Sequence, residues 1–70
     1  MRLREVRVGG RLRFVRQDEA GEFQADGPVC ERVAAGRSLE VLGWDVVKQV
    51  ETGYTFSADP LDMVEEVTDG

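Results

Sequence analysis

The residues with the clearest chemical potential are the arginines at the start of the chain. Six of the eight arginines lie among the first sixteen residues, several of them alternating with apolar residues: Arg2, Arg4, Arg7, Arg11, Arg13 and Arg16. A guanidinium group binds phosphate in bidentate fashion, and a two-stranded β-ribbon fits the major groove of DNA. Arg7, Arg11 and Arg13 are therefore candidate binding residues.

The charge of the remaining chain opposes binding to a nucleic acid. Residues 1–16 carry six arginines and one glutamate, for a charge of +5, whereas residues 17–70 carry three basic and thirteen acidic residues, for −10, which gives the net charge of −5. Nucleic-acid-binding domains are usually basic. We therefore expect the basic segment to pair internally with acidic strands, and nucleic-acid binding remains an alternative.

The acidic residues offer a second candidate surface. Scattered carboxylates usually serve solubility, but they can also face a basic partner and, in the extreme case, imitate a nucleic-acid backbone as a phage-type inhibitor would. Glu65 and Glu66 are the acidic residues we select as candidate partner contacts. Adjacent residues of a strand point to opposite faces, so this pair suits neither acid–base catalysis nor a cation site.

Cysteine and histidine usage narrows the chemistry further. Cys30 is the only cysteine and the chain contains no histidine, which excludes an intramolecular disulfide and a Cys/His zinc site within one chain. We interpret Cys30 as a small, partly buried apolar residue. The commonest general base is also missing. We therefore predict a protein that is not an enzyme, with no catalytic residues, cofactor or metal.

Aromatic residues are the remaining candidates for a binding surface. An exposed tryptophan or tyrosine is a natural anchor for a protein partner, and Trp44 and Tyr54 are included among the candidate partner-binding residues for that reason. In so small a domain the core is the commoner location, so we expect Trp44 to be buried together with Phe14 and Phe56.

Residues 1–17 have the pattern of a β-hairpin around a glycine pair. A two-residue turn at Gly9 and Gly10 would mix apolar and charged side chains on one face. A three-residue loop of Gly9, Gly10 and Arg11 instead pairs Val8 with Leu12, and it gives an apolar face of Val6, Val8, Leu12 and Phe14. A longer loop with Val6 opposite Leu12 is nearly as good.

Short strands punctuated by turn residues are predicted in the middle of the chain. Residues 22–25 form a short strand that folds back on residues 12–16, and residues 38–44 alternate as a strand. For residues 46–52 three valines favour a strand over a helix. Residues 28–35 are compatible with a helix after Pro28 or with a strand whose outward residues are Cys30 and Arg32.

The C-terminal part is predicted to close the domain. Asp59 and Pro60 favour one helical turn over residues 59–62, since the aspartate side chain accepts from free amides and proline suits the first turn. A last strand then follows, or the helix continues through Val67. We predict a single small β domain over residues 1–67 and a flexible tail over residues 68–70.

Several general properties follow from length and composition. Seventy residues, with 41% apolar and 33% charged, fit one small core and neither a disordered nor a membrane-spanning chain. No apolar stretch follows the basic start, so we expect no secretory signal and, by default, a cytoplasmic protein. An exposed edge strand could pair with another copy to form a homodimer.

The order of elements resembles that of SH3-like small barrel domains. Such domains include a small subunit of photosystem I, KOW-type modules and small phage proteins. Residues 8–15 are similar to their opening strand. Residues 59–67 are similar to their ending, in which a short helical turn leads into a last strand that pairs with the first. The resemblance implies a five-stranded barrel or half-barrel that binds a partner. A β-grasp α+β fold with residues 28–36 as the helix is the structural alternative.

The sequence as a whole predicts a non-catalytic, acidic protein-binding module that acts as a small subunit, adaptor or inhibitor. The expected partner is another protein, and no membrane association is expected. The alternatives are a nucleic-acid binder that uses the N-terminal arginines and an acidic nucleic-acid mimic.

Overall fold

The chain is mainly β, as the sequence predicts. A computed structural model describes residues 1–68. A single 3₁₀ turn, Leu3–Glu5, precedes seven strands and one helix, which are β1 (Arg11–Phe14), β2 (Arg16–Gln17), β3 (Phe23–Gln24), β4 (Cys30–Val33), α1 (Arg37–Leu42), β5 (Asp45–Gln49), β6 (Thr55–Ala58) and β7 (Val64–Val67). Most of the predicted C-terminal tail lies outside the described residues.

Five of the strands form one antiparallel sheet in the order β6, β5, β4, β1, β7, and β2 and β3 form a separate two-stranded sheet. Strand β1 lies between β4 and β7, and its whole length pairs with β7, from Arg11 opposite Val67 to Phe14 opposite Val64. The last strand therefore pairs with the first long strand.

The main sheet is strongly curled. The rings of Phe14 on β1 and Phe56 on β6 have centroids 5.9 Å apart, although β4 and β5 lie between the two strands. Three flat strand spacings would separate them by roughly 14 Å. Five residues, 59–63, also suffice to connect β6 at one edge with β7 at the other. Strands β6 and β7 remain the two edges of the described sheet, so closure into a barrel is not shown.

The concave side of the sheet carries the core. Its buried residues come from the N-terminal segment and from five strands: Leu3, Val6, Leu12, Cys30, Val47, Ala58 and Val64, with Phe14 and Phe56 packed against them. Cys30 is buried more completely than predicted, and its cross-strand partners are Leu12 on β1 and Gln49 on β5. The prediction for Phe14 and Phe56 is confirmed to the extent that both contact the core.

The predicted N-terminal hairpin is wrong. Residues 3–5 form a 3₁₀ turn in which the Glu5 carboxylate accepts a hydrogen bond of 2.7 Å from the Arg2 amide. The backbone amides of Leu3 and Arg4 donate to Asp62 and Pro60. Strand β1 pairs with β4 and β7 instead, and the segment before it places Leu3 and Val6 in the core. Val6 is consequently buried while Val8 is 59% exposed.

Residues 38–44 are also not a strand. They lie mostly in α1, which ends at Gly43 in the left-handed conformation, with φ at +78°. The Gly43 amide donates to the carbonyls of Leu39 and Glu40, and the Trp44 amide donates to Leu39. A glycine that stops a helix in this way satisfies the last carbonyls, a signal that apolar alternation alone does not reveal.

Two ambiguous segments are strands. Residues 30–33 form β4 and residues 45–49 form β5, so the helix that a β-grasp fold requires at residues 28–36 is contradicted. Within β4, Cys30 and Arg32 face inward, opposite to the predicted orientation, because Leu12 and Val47 are their partners on the neighbouring strands.

The predicted helical turn at residues 59–62 and the predicted strand at residues 22–25 are each found in altered form. The Asp59 carboxylate accepts a hydrogen bond of 2.8 Å from the Leu61 amide, and residues 60–61 form a turn rather than a helix. The predicted strand at residues 22–25 is present as β3, but it pairs with β2 beyond the end of β1.

Candidate functional site

Five of the seven predicted binding residues lie along the β1–β7 strand pair or beside it. Arg7, Arg11 and Glu66 line an open groove of about 620 Å³, together with the backbone at Gly9 and Gly10. Glu66 lies opposite Leu12, at the rim of the core face, and is exposed. With Glu31 on its other side, the groove combines two arginines with two glutamates and does not present one sign of charge.

The convex face of the sheet shows the same mixing of charges. Arg13 lies directly opposite Glu65, and Arg11 lies between Glu31 on β4 and Val67 on β7. On the far side of Glu31, the Lys48 ammonium is 3.5 Å from the Glu31 carboxylate. Cross-strand neighbours of opposite charge attract each other. The arginines of β1 are thus interleaved with glutamates, as the expectation of internal pairing requires.

One N-terminal arginine forms a bidentate ion pair. The Arg16 guanidinium donates two hydrogen bonds, of 3.1 and 2.9 Å, to the Asp26 carboxylate. The pair holds the pKa of Asp26 below its usual value and raises the pKa of Arg16. Both side chains are largely exposed, so solvent screening leaves the pair a small effect on stability.

The β2–β3 turn is organised by Asp18. One carboxylate oxygen accepts hydrogen bonds of 2.9 Å from the amides of Ala20 and Glu22, and the other accepts from the Gln24 side chain at 3.2 Å. These donors, led by the Glu22 amide, lower the pKa of Asp18. Asp18 therefore holds a turn in place and is occupied by its own loop.

Trp44 is not in the core, contrary to the prediction. Its side chain is 43% exposed, and the two apolar residues before Gly43 are more exposed still, Val41 at 81% and Leu42 at 69%. We call Val41, Leu42 and Trp44 the apolar corner. Helix α1 contributes no buried residue to the core, so Val41 and Leu42 remain largely in contact with solvent.

The apolar corner is nevertheless held in a defined place. Gly43 ends α1 and the Trp44 amide bonds back to Leu39, which fixes the direction of the chain at Trp44. The next residue, Asp45, begins β5 and receives a hydrogen bond of 3.2 Å from the Arg32 guanidinium. The corner therefore projects from a short helix that is tied to the sheet at its C-terminal end.

Tyr54 lies at the other end of β5. The residue is 63% exposed, and its ring stacks on Phe56, with centroids 6.0 Å apart and planes inclined by 22°. The Gln49 amide donates to the Tyr54 carbonyl, so Tyr54 is opposite the last residue of β5 while Trp44 precedes the first. The two predicted aromatic contacts are therefore separated and do not form one site.

Sequence reasoning missed an ion pair that supports this region. Arg32 donates to the carbonyls of Arg4 and Val6 and to the Asp45 carboxylate, and the side chains of Arg32 and Asp45 are only 19% and 16% exposed. The sequence analysis placed Arg32 on the outward face of this strand, so it did not predict the ion pair. Residues 30 and 32 of a strand lie on the same face, so a buried Cys30 would have indicated that Arg32 also faces inward.

The acidic residues and the thiol of the described part of the chain were candidates for metal binding and for nucleophilic chemistry. Within residues 1–68, no three acidic or cysteine side chains are arranged to hold a metal ion. Cys30 is 1% exposed, and burial raises the pKa of its thiol. A buried, protonated thiol is a poor nucleophile.

None of the helices described for residues 1–68 has the length and apolar character needed to cross a membrane. Comparisons with protein families, with curated protein sequences and with solved structures find no match for this chain. Its function is therefore inferred from its own geometry.

Proposed function

We propose that this chain is a non-catalytic protein-binding module, a small subunit, adaptor or inhibitor, and that the apolar corner is its docking surface. The observation that supports the proposal is the exposure of Val41 and Leu42 on a helix with no buried residue, and of Trp44 directly after the glycine that ends this helix. Contiguous exposed apolar side chains mark interaction sites, and a tryptophan is a frequent hot-spot residue. On this proposal the curled sheet is an SH3-like half-barrel that acts as a scaffold.

The charges on the sheet give less support to the two alternatives. Arg11 and Arg13 have glutamates as cross-strand neighbours, which weakens the positive field that a phosphate backbone needs. Glu65 and Glu66 occupy opposite faces of β7, so they do not combine into one anionic surface of the kind a nucleic-acid mimic presents.

The test compares two matched variants in the complete chain. V41S/L42S removes two apolar side chains from the corner, whereas V8S changes a valine of similar exposure, 59%, outside it. Both variants should unfold within roughly 0.5 kcal/mol of the wild type, because exposed substitutions have small effects. Each protein is used to capture partners from an extract of the source cells, with and without nuclease.

The proposal expects a protein that the wild type and V8S capture after nuclease treatment and that V41S/L42S loses. Addition of that purified protein should shift Trp44 emission to shorter wavelength, since docking buries the indole ring. Equal capture by V41S/L42S would contradict the docking surface. Loss of all captured material after nuclease, together with loss in an Arg11/Arg13 double alanine variant, would instead establish nucleic-acid binding.

A further inference from the structure

We propose that two copies of this chain pair through strand β6, which joins two five-stranded sheets into one of ten strands. The two-fold axis of this dimer passes beside Phe56. The inference concerns a different surface from the apolar corner and does not depend on the proposed function. It rests on the hydrogen-bonding groups, charges and side-chain sizes along the two edges of the sheet.

The β7 edge is already protected. The Val64 amide donates a hydrogen bond of 2.8 Å to the carbonyl of Met1, and Arg2 forms a β-bridge with Met63. The rest of the strand carries the exposed charges of Glu65 and Glu66. Charged side chains and covering segments are the devices that keep an edge strand from pairing with another chain.

The β6 edge lacks these devices. Residues 54–58 contain no charged residue and no proline. The Gln49 amide bonds to Tyr54, so by antiparallel alternation residues 54, 56 and 58 direct their backbone groups to β5. The amides and carbonyls of Thr55 and Ser57 then point away from the sheet. No hydrogen bond to them is found from other described residues outside the sheet.

These outward groups fit a second copy in one register. With Thr55 opposite Ser57 of the second copy, and Ser57 opposite Thr55 of the second copy, four backbone hydrogen bonds form across the two-fold axis. Phe56 then lies opposite Phe56 of the second copy, and the exposed ring of Tyr54 lies over Ala58, a small residue. No charged side chains oppose each other within this register.

A charge pair placed in β6 tests both the dimer and its register. In T55E/S57E, each new glutamate at position 55 faces a glutamate at position 57 of the second copy. In the matched variant T55E/S57K it faces a lysine. Position 55 lies next to Lys48 within one chain, so the shared T55E change suits the fold of both variants. Thermal unfolding of each variant verifies that the monomer fold is kept.

Molar mass is measured by light scattering from about 10 μM to about 1 mM, at roughly 0.15 M salt to screen the net charge. The wild type and T55E/S57K should approach twice the 7.8 kDa chain mass, and T55E/S57E should associate at least roughly tenfold more weakly. A wild type that stays monomeric overturns the proposal. Equal association of the two variants also overturns the proposal. If both variants stay monomeric, the register is a different one, and if both dimerise, the dimer forms through another surface.

Discussion

Replacing Arg32 with alanine should destabilise the fold more than the same change at any of the exposed arginines. Its guanidinium donates to the carbonyl of Arg4 at 3.0 Å, to the carbonyl of Val6 at 2.5 Å and to Asp45 at 3.2 Å. Two elements are thereby joined to β4: the N-terminal segment that carries Leu3 and Val6 into the core, and the start of β5.

The expected magnitude follows from the groups that R32A leaves without a donor. A buried acceptor that loses its partner costs about 1–3 kcal/mol, and the low end applies to each carbonyl because water reaches part of this site. The Asp45 carboxylate, whose second oxygen is already buried without a partner within the described residues, adds about 1–2 kcal/mol. The sum is about 3 kcal/mol, a large share of the roughly 4–10 kcal/mol expected for 70 residues.

Urea and thermal unfolding of the complete chain measure this effect. A loss of about 3 kcal/mol corresponds to a fall in Tm of about 12–24 °C for a domain of this size. The control is R37A, which removes an exposed arginine at the start of α1 and should change stability by less than about 0.5 kcal/mol. R32A/D45A should cost less than the sum of the two single variants. If R32A unfolds like R37A, the reasoning about this ion pair is refuted.

Two other predictions concern tightly packed positions. G10A should lower the free energy of unfolding by about 1–3 kcal/mol, because the added Cβ would lie 2.9 Å from the Arg7 carbonyl oxygen and from a Val6 methyl carbon. Urea unfolding measures this effect. The control is G27A, whose added Cβ meets nothing within 4 Å. At pH 8, the Cys30 thiol should react with an aromatic disulfide reagent at least about 100-fold more slowly in the folded protein than in urea. Burial blocks access of the reagent, and it also raises the pKa of the thiol, so the thiol stays protonated. Equal rates in the two conditions would contradict that placement.

Strand parity and turn residues carried the sequence predictions that are confirmed. Three valines in residues 46–50 favoured the strand that became β5. Asp59 with Pro60 marked a change of direction before the last strand, but the helical turn predicted over residues 59–62 is a non-helical turn. The strand predicted over residues 38–44 was wrong for a local reason. Leu39 and Val41 alternate as in a strand, but Gly43 provides a left-handed helix end whose carbonyl bonds outweigh that pattern.

For the candidate site residues, the sequence predicts some exposures but not which residues lie next to each other. That Arg13 and Glu65 are exposed follows from their polarity, but that they lie opposite each other depends on a pairing between residues more than fifty positions apart. Local periodicity contains no information about such a partner. The exposure of Trp44 likewise depends on the position of α1, none of whose residues is buried by the rest of the chain.

By itself, the amino-acid sequence determined that the protein is mainly β and that one chain can form neither an intramolecular disulfide nor a Cys/His zinc site. These properties follow from composition and from side-chain period, which are local. The tertiary structure decided that β1 pairs with β4 and β7 rather than with residues 1–8, that Arg32 faces inward, and that the apolar corner faces outward. Each of these outcomes is a competition between distant segments for the same edge or the same core, and only the folded chain resolves it.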